Sequence, residues 1–529
     1  MNKILLKKTY ISLVFLFFIS AVSYSQTELK IDSKLLVSLK EARNVFDKIG
    51  AQLYPGWEFK KLPVLFYKPK VQELLINFPY KPKGFSVYTG FNPLGDETIY
   101  YRNDTTFFSI DDQNTSFKID STSVLVVADP FSSMRNQIHY AVSSMPKATV
   151  LNRIDEWGFV PSAYDILLTI LHEGFHVYQE NKAPNKYANE IAVIKYPTLS
   201  PFNNSMYVLE GKLLSEAMLT EDINRKKELA SMFIAVRNSR LQKLDSVFTE
   251  YENLNEYVEG TAKYVEYKFL SLGKNLMPVN EMYYLYNFNG YKKELSKIFV
   301  KRLDNMMKII SVSDNRFGNK FGTGPVRFRL YESGAAIAYL LDDIYPQWKN
   351  EIFKDNIYLF DLLKKAIKFT QEKEIELLEQ TKREYNYEQA YGDKLEFEKQ
   401  GQDYKQSKLN EILKTEKTLV TISYDGFSER AGVVRYTPFG ILAIDDKTNL
   451  FDLVPIEVLF KENVTLDMRK ALPVIVDKLN KRVVFAVSLL PDDIMLNTNS
   501  EIENIEFMLK GAKLEMEKTG NKVNISFEQ

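Results

Sequence analysis

The chain has 529 residues, more than one ordinary hydrophobic core organises, so two or three domains are expected. With 69 Lys+Arg against 69 Asp+Glu the formal net charge is zero, which argues on charge against a nucleic-acid-binding protein and a basic membrane-surface protein. There is no cysteine, which excludes disulfides, a cysteine-linked lipid anchor, thiolate metal ligands and a cysteine nucleophile, and leaves chemistry to oxygen and nitrogen groups.

Residues 1–25 read as a signal peptide. Lys3, Lys7 and Lys8 precede the apolar run Ile11–Val22, and Ser23-Tyr24-Ser25 sets small residues for a cut before Gln26. The run is short for a span of about 20 residues, so export to the periplasm or the extracellular space is expected, with no stable membrane insertion after cleavage. Residues 26–160 read as a mixed α/β part. Leu35, Leu36, Leu39, Val45 and Ile49 give helical spacing over 33–53, and Pro63–Tyr67, Leu74–Phe78 and Ser123–Ala128 have strand character.

Residues 161–395 read as a mainly helical region. Pro161, Ser162 and Asp165 resemble a capped helix start, an apolar run from Ile166 to Leu171 predicts burial, and Asn181 and Pro184 end the helix. Helical pattern continues through 204–270 and again over 331–385. The polar stretch over about 382–417 reads as a solvated helix or a linker, with 396–417 taken as the boundary segment, and 418–529 breaks into short β-type runs separated by turn residues, predicting a small all-β C-terminal domain. The fold class expected is α+β.

The helix from 161 carries His172, Glu173 and His176 as H-E-x-x-H, in a chain with only three histidines. Residues i and i+4 share one helix face, so both imidazoles can reach one Zn²⁺ while Glu173 holds the attacking water. A catalytic zinc takes three protein ligands and leaves a fourth place for water. The longer H-E-x-x-H-x-x-G-x-x-H pattern fails, because Gln179 and Lys182 stand in its Gly and His places. His139 has no ligand-like spacing and reads as an ordinary surface or core histidine. The favoured third ligand is Glu259, where Gly260 and Ala262 allow a close backbone approach; Glu256, Glu266, Glu210 and Glu216 are its rivals, and Glu256 and Glu266 also suit a role holding a histidine N–H.

These elements resemble the gluzincin metallopeptidases, and in particular the zinc aminopeptidase / leukotriene A4 hydrolase superfamily. His172-Glu173-Gly174-Phe175-His176 matches its zinc motif, Val258-Glu259-Gly260-Thr261-Ala262 is similar to its N-E-G-F-A element, and Tyr331-Glu332-Ser333-Gly334-Ala335 is similar to its Y-E-K-G-A element. The resemblance implies one Zn²⁺ per chain on His172, His176 and Glu259, with Glu173 as general base and Tyr331 as oxyanion donor. It covers about 160–350 and departs from the family in two ways. The His176-to-Glu259 separation is far longer, and the G-x-M-E-N element that binds a substrate amino terminus is missing, which puts exopeptidase activity in doubt.

By its own sequence Tyr331 is expected to begin a helix after Gly322, Gly324 and Pro325, with Arg327 and Arg329 alternating on an extended segment before it, read first as solvated side chains and second as candidates for a substrate carboxylate. The expected function is a secreted zinc-dependent metallopeptidase acting on a peptide or protein substrate. The alternatives are a non-catalytic envelope or binding protein retaining the fold, and a zinc hydrolase of non-peptide bonds.

Overall fold

The computed structural model describes residues 27–95, 97–104, 114–130, 161–310, 320–424, 432–436, 441–452, 456–460, 464–499, 501–511 and 514–527. The expected signal peptide and His139 lie outside them. The chain is α+β, with a helix-rich region up to residue 413 and a sheet-rich region after it.

Helix α1 (Lys34–Leu53) buries Leu35, Leu36, Leu39, Ala42, Val45 and Ile49 along one stripe. Strands β1 (Val64–Lys68), β2 (Gln72–Ile76), β3 (Ser86–Val87), β4 (Ile99–Arg102), β5 (Thr115–Ile119) and β6 (Thr122–Ala128) form a mixed sheet in the order β3-β4-β2-β1-β6-β5. Among the described strands of this sheet, β1 and β6 pair in parallel and the other pairs are antiparallel. Strand alternation sends Val64, Phe66, Leu125 and Val127 to the core shared with α1, and Leu65, Tyr67, Val124 and Val126 to a smaller core on the other face.

Helix α2 (Ala163–Lys182) carries the H-E-x-x-H residues. A reciprocal capping box between Ser162 and Asp165 fixes its start, and Ile166, Leu167, Leu168, Ile170, Leu171, Phe175 and Val177 bury its apolar faces. Next come α3 (Pro201–Leu219), α4 (Ile223–Leu241), α5 (Ser246–Asn255), a π-helical turn at Glu256–Gly260, and α6 (Thr261–Leu272). Helices α7 (Glu294–Ile310), α8 (Gly324–Ile344), α9 (Leu359–Ile367), α10 (Glu374–Glu384) and α11 (Tyr387–Leu413) complete the region. No described helix is long and apolar enough to cross a membrane.

Twelve further strands, β7 (Thr418–Ser423) to β18 (Lys522–Phe527), form a seven-stranded and a five-stranded sheet. Val420, Ile422, Val474, Phe485 and Val487 of the first pack with Val458, Leu466, Phe507 and Leu509 of the second, as in a β-sandwich. The polar stretch expected as a linker over 396–417 is mostly the second half of α11, so the boundary at 395 falls inside a helix. The reason is an apolar stripe. Phe397, Tyr404, Leu409 and Ile412 pack with Leu419, Ile475 and Val484, the outward-facing residues of the seven-stranded sheet.

The π-turn and α8 cross with their backbones in contact. A Cβ added at Gly260 would meet Gly334 Cα at 2.5 Å, and one added at Gly334 would meet the Glu256 carbonyl oxygen at 2.5 Å. Both obstacles are main chain and cannot rotate away. Gly334→Ala should therefore cost about 1–3 kcal/mol or more by overpacking, read as a lowered thermal midpoint; a midpoint equal to the parent's would mean that this crossing is free to open.

Candidate metal centre

Among the described residues, the group able to hold a metal ion is His172, His176 and Glu259, with one ligand atom from each within 4.8 Å of the others. His172 and His176 stand one turn apart on α2, their rings 4.8 Å between centroids and nearly perpendicular. Glu259 comes from the π-turn. Its Oε2 lies 3.3 Å from His172 Nε2 and 3.4 Å from His176 Nε2. Four ligands at zinc's usual bond lengths of ~2.0–2.1 Å define a tetrahedron with an edge of ~3.3 Å, so the donor set fits Zn²⁺.

The other ring nitrogens are occupied from behind. His172 Nδ1–H donates to Glu266 Oε1 at 2.8 Å, and His176 Nδ1–H donates to Gln179 Oε1 at 2.8 Å. Both Nε2 atoms are thereby turned toward Glu259. Gln179 in turn places its Nε2 2.9 Å from the carbonyls of Tyr257 and Val258 and 2.8 Å from Thr261 Oγ1, tying α2 to the π-turn. Glu266 is balanced by Arg302, with Lys263 at 3.4 Å.

The charged groups of the cluster shift one another strongly. Burial pushes His172 down, but hydrogen bonds to Glu259 and Glu266, with the charges of Glu266 and Glu173, outweigh it and lift its pKa to about 10. Glu259 is held well below the usual carboxylate range: burial opposes this, and the two histidines overcome it. Removal from water pushes Glu173 up, the imidazoles hold it back, and Glu259 and Glu266 add to the rise.

Tyr331 is in the third turn of α8, not at a helix start. The helix begins at Gly324 because Pro325 is set for a first helical turn, and Val326 and Leu330 continue the buried stripe before Tyr331. The Tyr331 ring lies near-parallel to His172, 6.4 Å between centroids. Burial and the neighbouring Glu259 raise its pKa well above the ordinary phenol, against the opposing charge of Arg327. Arg327 and Arg329 are accordingly helical rather than extended. Arg327 turns to the site, while Arg329 is buried, 3.5 Å from the Tyr207 ring centroid and donating to Asn204 and Tyr196.

His172, Glu173, Tyr331, Phe328, Lys263 and Arg302 line one cleft of about 420 Å³. The rival carboxylates serve elsewhere. Glu256 receives a two-pronged bond from Arg237 at 2.7 and 2.8 Å, Glu210 binds Arg237 and Arg240, and Glu216 binds Arg225 and Tyr385. Gln179 and Arg327 are the residues whose roles the sequence reading missed. The signal for Gln179 was its place three residues after His176 on one helix face. Comparison of the chain with protein-family models, curated proteins and solved structures gives no match.

Two outcomes follow for the metal. Gln179→Leu removes the His176 acceptor, so zinc affinity should fall by about 10–100-fold, measured by competition with a chelator; unchanged affinity would show that the amide does not orient the imidazole. Below pH about 10 the metal-free His172 carries a proton that ligation must expel. Zinc binding at pH 7 should therefore release ~1 proton, and affinity should rise with pH. Calorimetry in buffers of different ionisation enthalpy measures that release, and buffer-independent heats would contradict it.

Proposed function

We propose that the protein is a secreted zinc-dependent metallopeptidase of gluzincin type. The observation that carries this reading is Glu259 Oε2 at 3.3 and 3.4 Å from the two imidazole Nε2 atoms, beside a cleft lined by Glu173 and Tyr331. Export is proposed from the basic, apolar and small-residue order of residues 1–25.

A Zn²⁺ held by His172, His176 and Glu259 would lower the pKa of water to about 7 and polarise a substrate carbonyl. Glu173 accepts the proton of the attacking water and passes it to the leaving amine. Its raised pKa brings it toward the working range of a general base at neutral pH. Tyr331 donates a hydrogen bond to the carbonyl oxygen as negative charge develops there, and its raised pKa keeps it a protonated donor. Glu266 and Gln179 occupy Nδ1 of each imidazole, so that Nε2 is the nitrogen left to ligate a metal.

Glu173→Gln should retain stoichiometric zinc and abolish hydrolysis of a peptide library, since the amide keeps the shape but accepts no proton. Parent-level turnover in that variant would remove catalysis from this site, and turnover of esters but not peptides by the parent would replace the substrate class. Tyr331→Phe should lower kcat by about 10²–10³ with little change in KM, because the lost bond strengthens only as charge develops. A variant with unaltered kcat would return Tyr331 to the structural tyrosines.

A further inference from the structure

Arg327 lies one turn before Tyr331 on α8, and its guanidinium meets three residues at once. Nε–H donates to the Tyr331 hydroxyl oxygen at 3.1 Å, Nη2–H donates to Glu259 Oε1 at 2.9 Å, and Nη1 pairs with Glu190. Glu259 is therefore divided between two tasks. Its Oε1 is on the arginine, and its Oε2 is on the side of the two imidazoles.

We propose that Arg327 is a positioning residue that confines Glu259 to a single ligating oxygen and orients the Tyr331 hydroxyl as a donor. The proposal rests on the metal-centre reading above. A carboxylate free at both oxygens can chelate, taking two places at a zinc ion whose catalytic form needs one open. A charge-assisted bond from a guanidinium to Oε1 opposes that, because chelation would have to break it inside a partly buried site. The same fork acts on the phenol. Once Nε–H fills an acceptor direction on the Tyr331 oxygen, the single O–H proton is left to point at another acceptor. Lysine offers a point charge and not this planar fork, so it cannot hold both groups in one geometry.

The test uses Co²⁺ loaded into the full chain, because four-coordinate Co²⁺ absorbs visible light several-fold more strongly than five- or six-coordinate Co²⁺. The parent should show the intense spectrum. Arg327→Met should still bind one Co²⁺ per chain while its absorption weakens several-fold, as the second Glu259 oxygen enters; Arg327→Lys, the variant more certain to fold, should fall between them. Tyr331→Phe should keep the parent's spectrum. On a peptide substrate Arg327→Met should lose about 10²-fold in kcat with KM held, and adding Tyr331→Phe should cost little more.

Parent-like spectra in both arginine variants would overturn the proposal and leave the metal centre standing. A raised KM with kcat and spectrum unchanged would overturn it also, making Arg327 a substrate-carboxylate residue. A parent that takes up no Co²⁺, or a His172→Ala variant that takes up as much, would remove the metal centre itself.

Discussion

The site depends on two backbones touching. At the crossing of the π-turn with α8, Gly260 and Gly334 leave no room for a side chain: a Cβ on Gly260 would lie 2.5 Å from Gly334 Cα, and one on Gly334 2.5 Å from the Glu256 carbonyl oxygen. Glu259 immediately precedes one of these glycines and Tyr331 lies one turn before the other. A wider crossing would separate the Glu259 carboxylate from the Tyr331 phenol. Buried charge fastens the same joint: Arg237 of α4 binds Glu256 in the π-turn, and Ser333 of α8 donates to the same carboxylate. Arg240 extends the network to Glu210 and Glu252, whose pKa is held at about 2, burial opposing and Arg240 prevailing. Removing one partner would strand a desolvated charge at this joint, so the loss of any one member should be costly.

The second constraint is that the histidines are held from outside the site. His172 leans on Glu266 of α6, and His176 leans on Gln179 of its own helix, whose amide also binds the carbonyls of the π-turn. A π-turn alters the usual i→i−4 bonding, and here two of its carbonyls are met by a side chain from α2. The result is a closed loop of contacts, from α2 through Gln179 to the π-turn, through Glu259 to Arg327, and through Tyr331 back to the His172 ring.

What could be read from the residues follows the range of the interactions. The α2 capping box, the H-E-x-x-H face and the small residues after Glu259 are local signals, and each stands where the sequence indicated. The start of α8 was misjudged because Gly322, Gly324 and Pro325 look like a break, whereas a proline in a first turn begins a helix. Of the two readings of the polar stretch the helix holds up to Leu413, but its packing on the sheet was missed, because the apolar stripe of α11 is sparse and its partners, such as Ile475 and Val484, lie far downstream. Glu266 was weighed as a histidine holder, yet the Arg302 that balances it lies 36 residues further on, and nothing local announces the pair.

The segment between α2 and α3 ties the two halves of the molecule to the same site. Lys186 donates to the carbonyls of Ile352, Lys354 and Ile357, and burial lowers its pKa to about 8. Four residues later Glu190 pairs with Arg327 and accepts from the Tyr251 hydroxyl at 3.3 Å. Ile194, another turn on, packs against the core of the C-terminal sandwich. The outer partner of Arg327 is thus carried on a strap anchored to the helical region at one end and to the sandwich at the other. The β domain is in this sense no appendage, since it packs on Ile194 of the strap that carries Glu190, and Glu190 shares one guanidinium with Glu259.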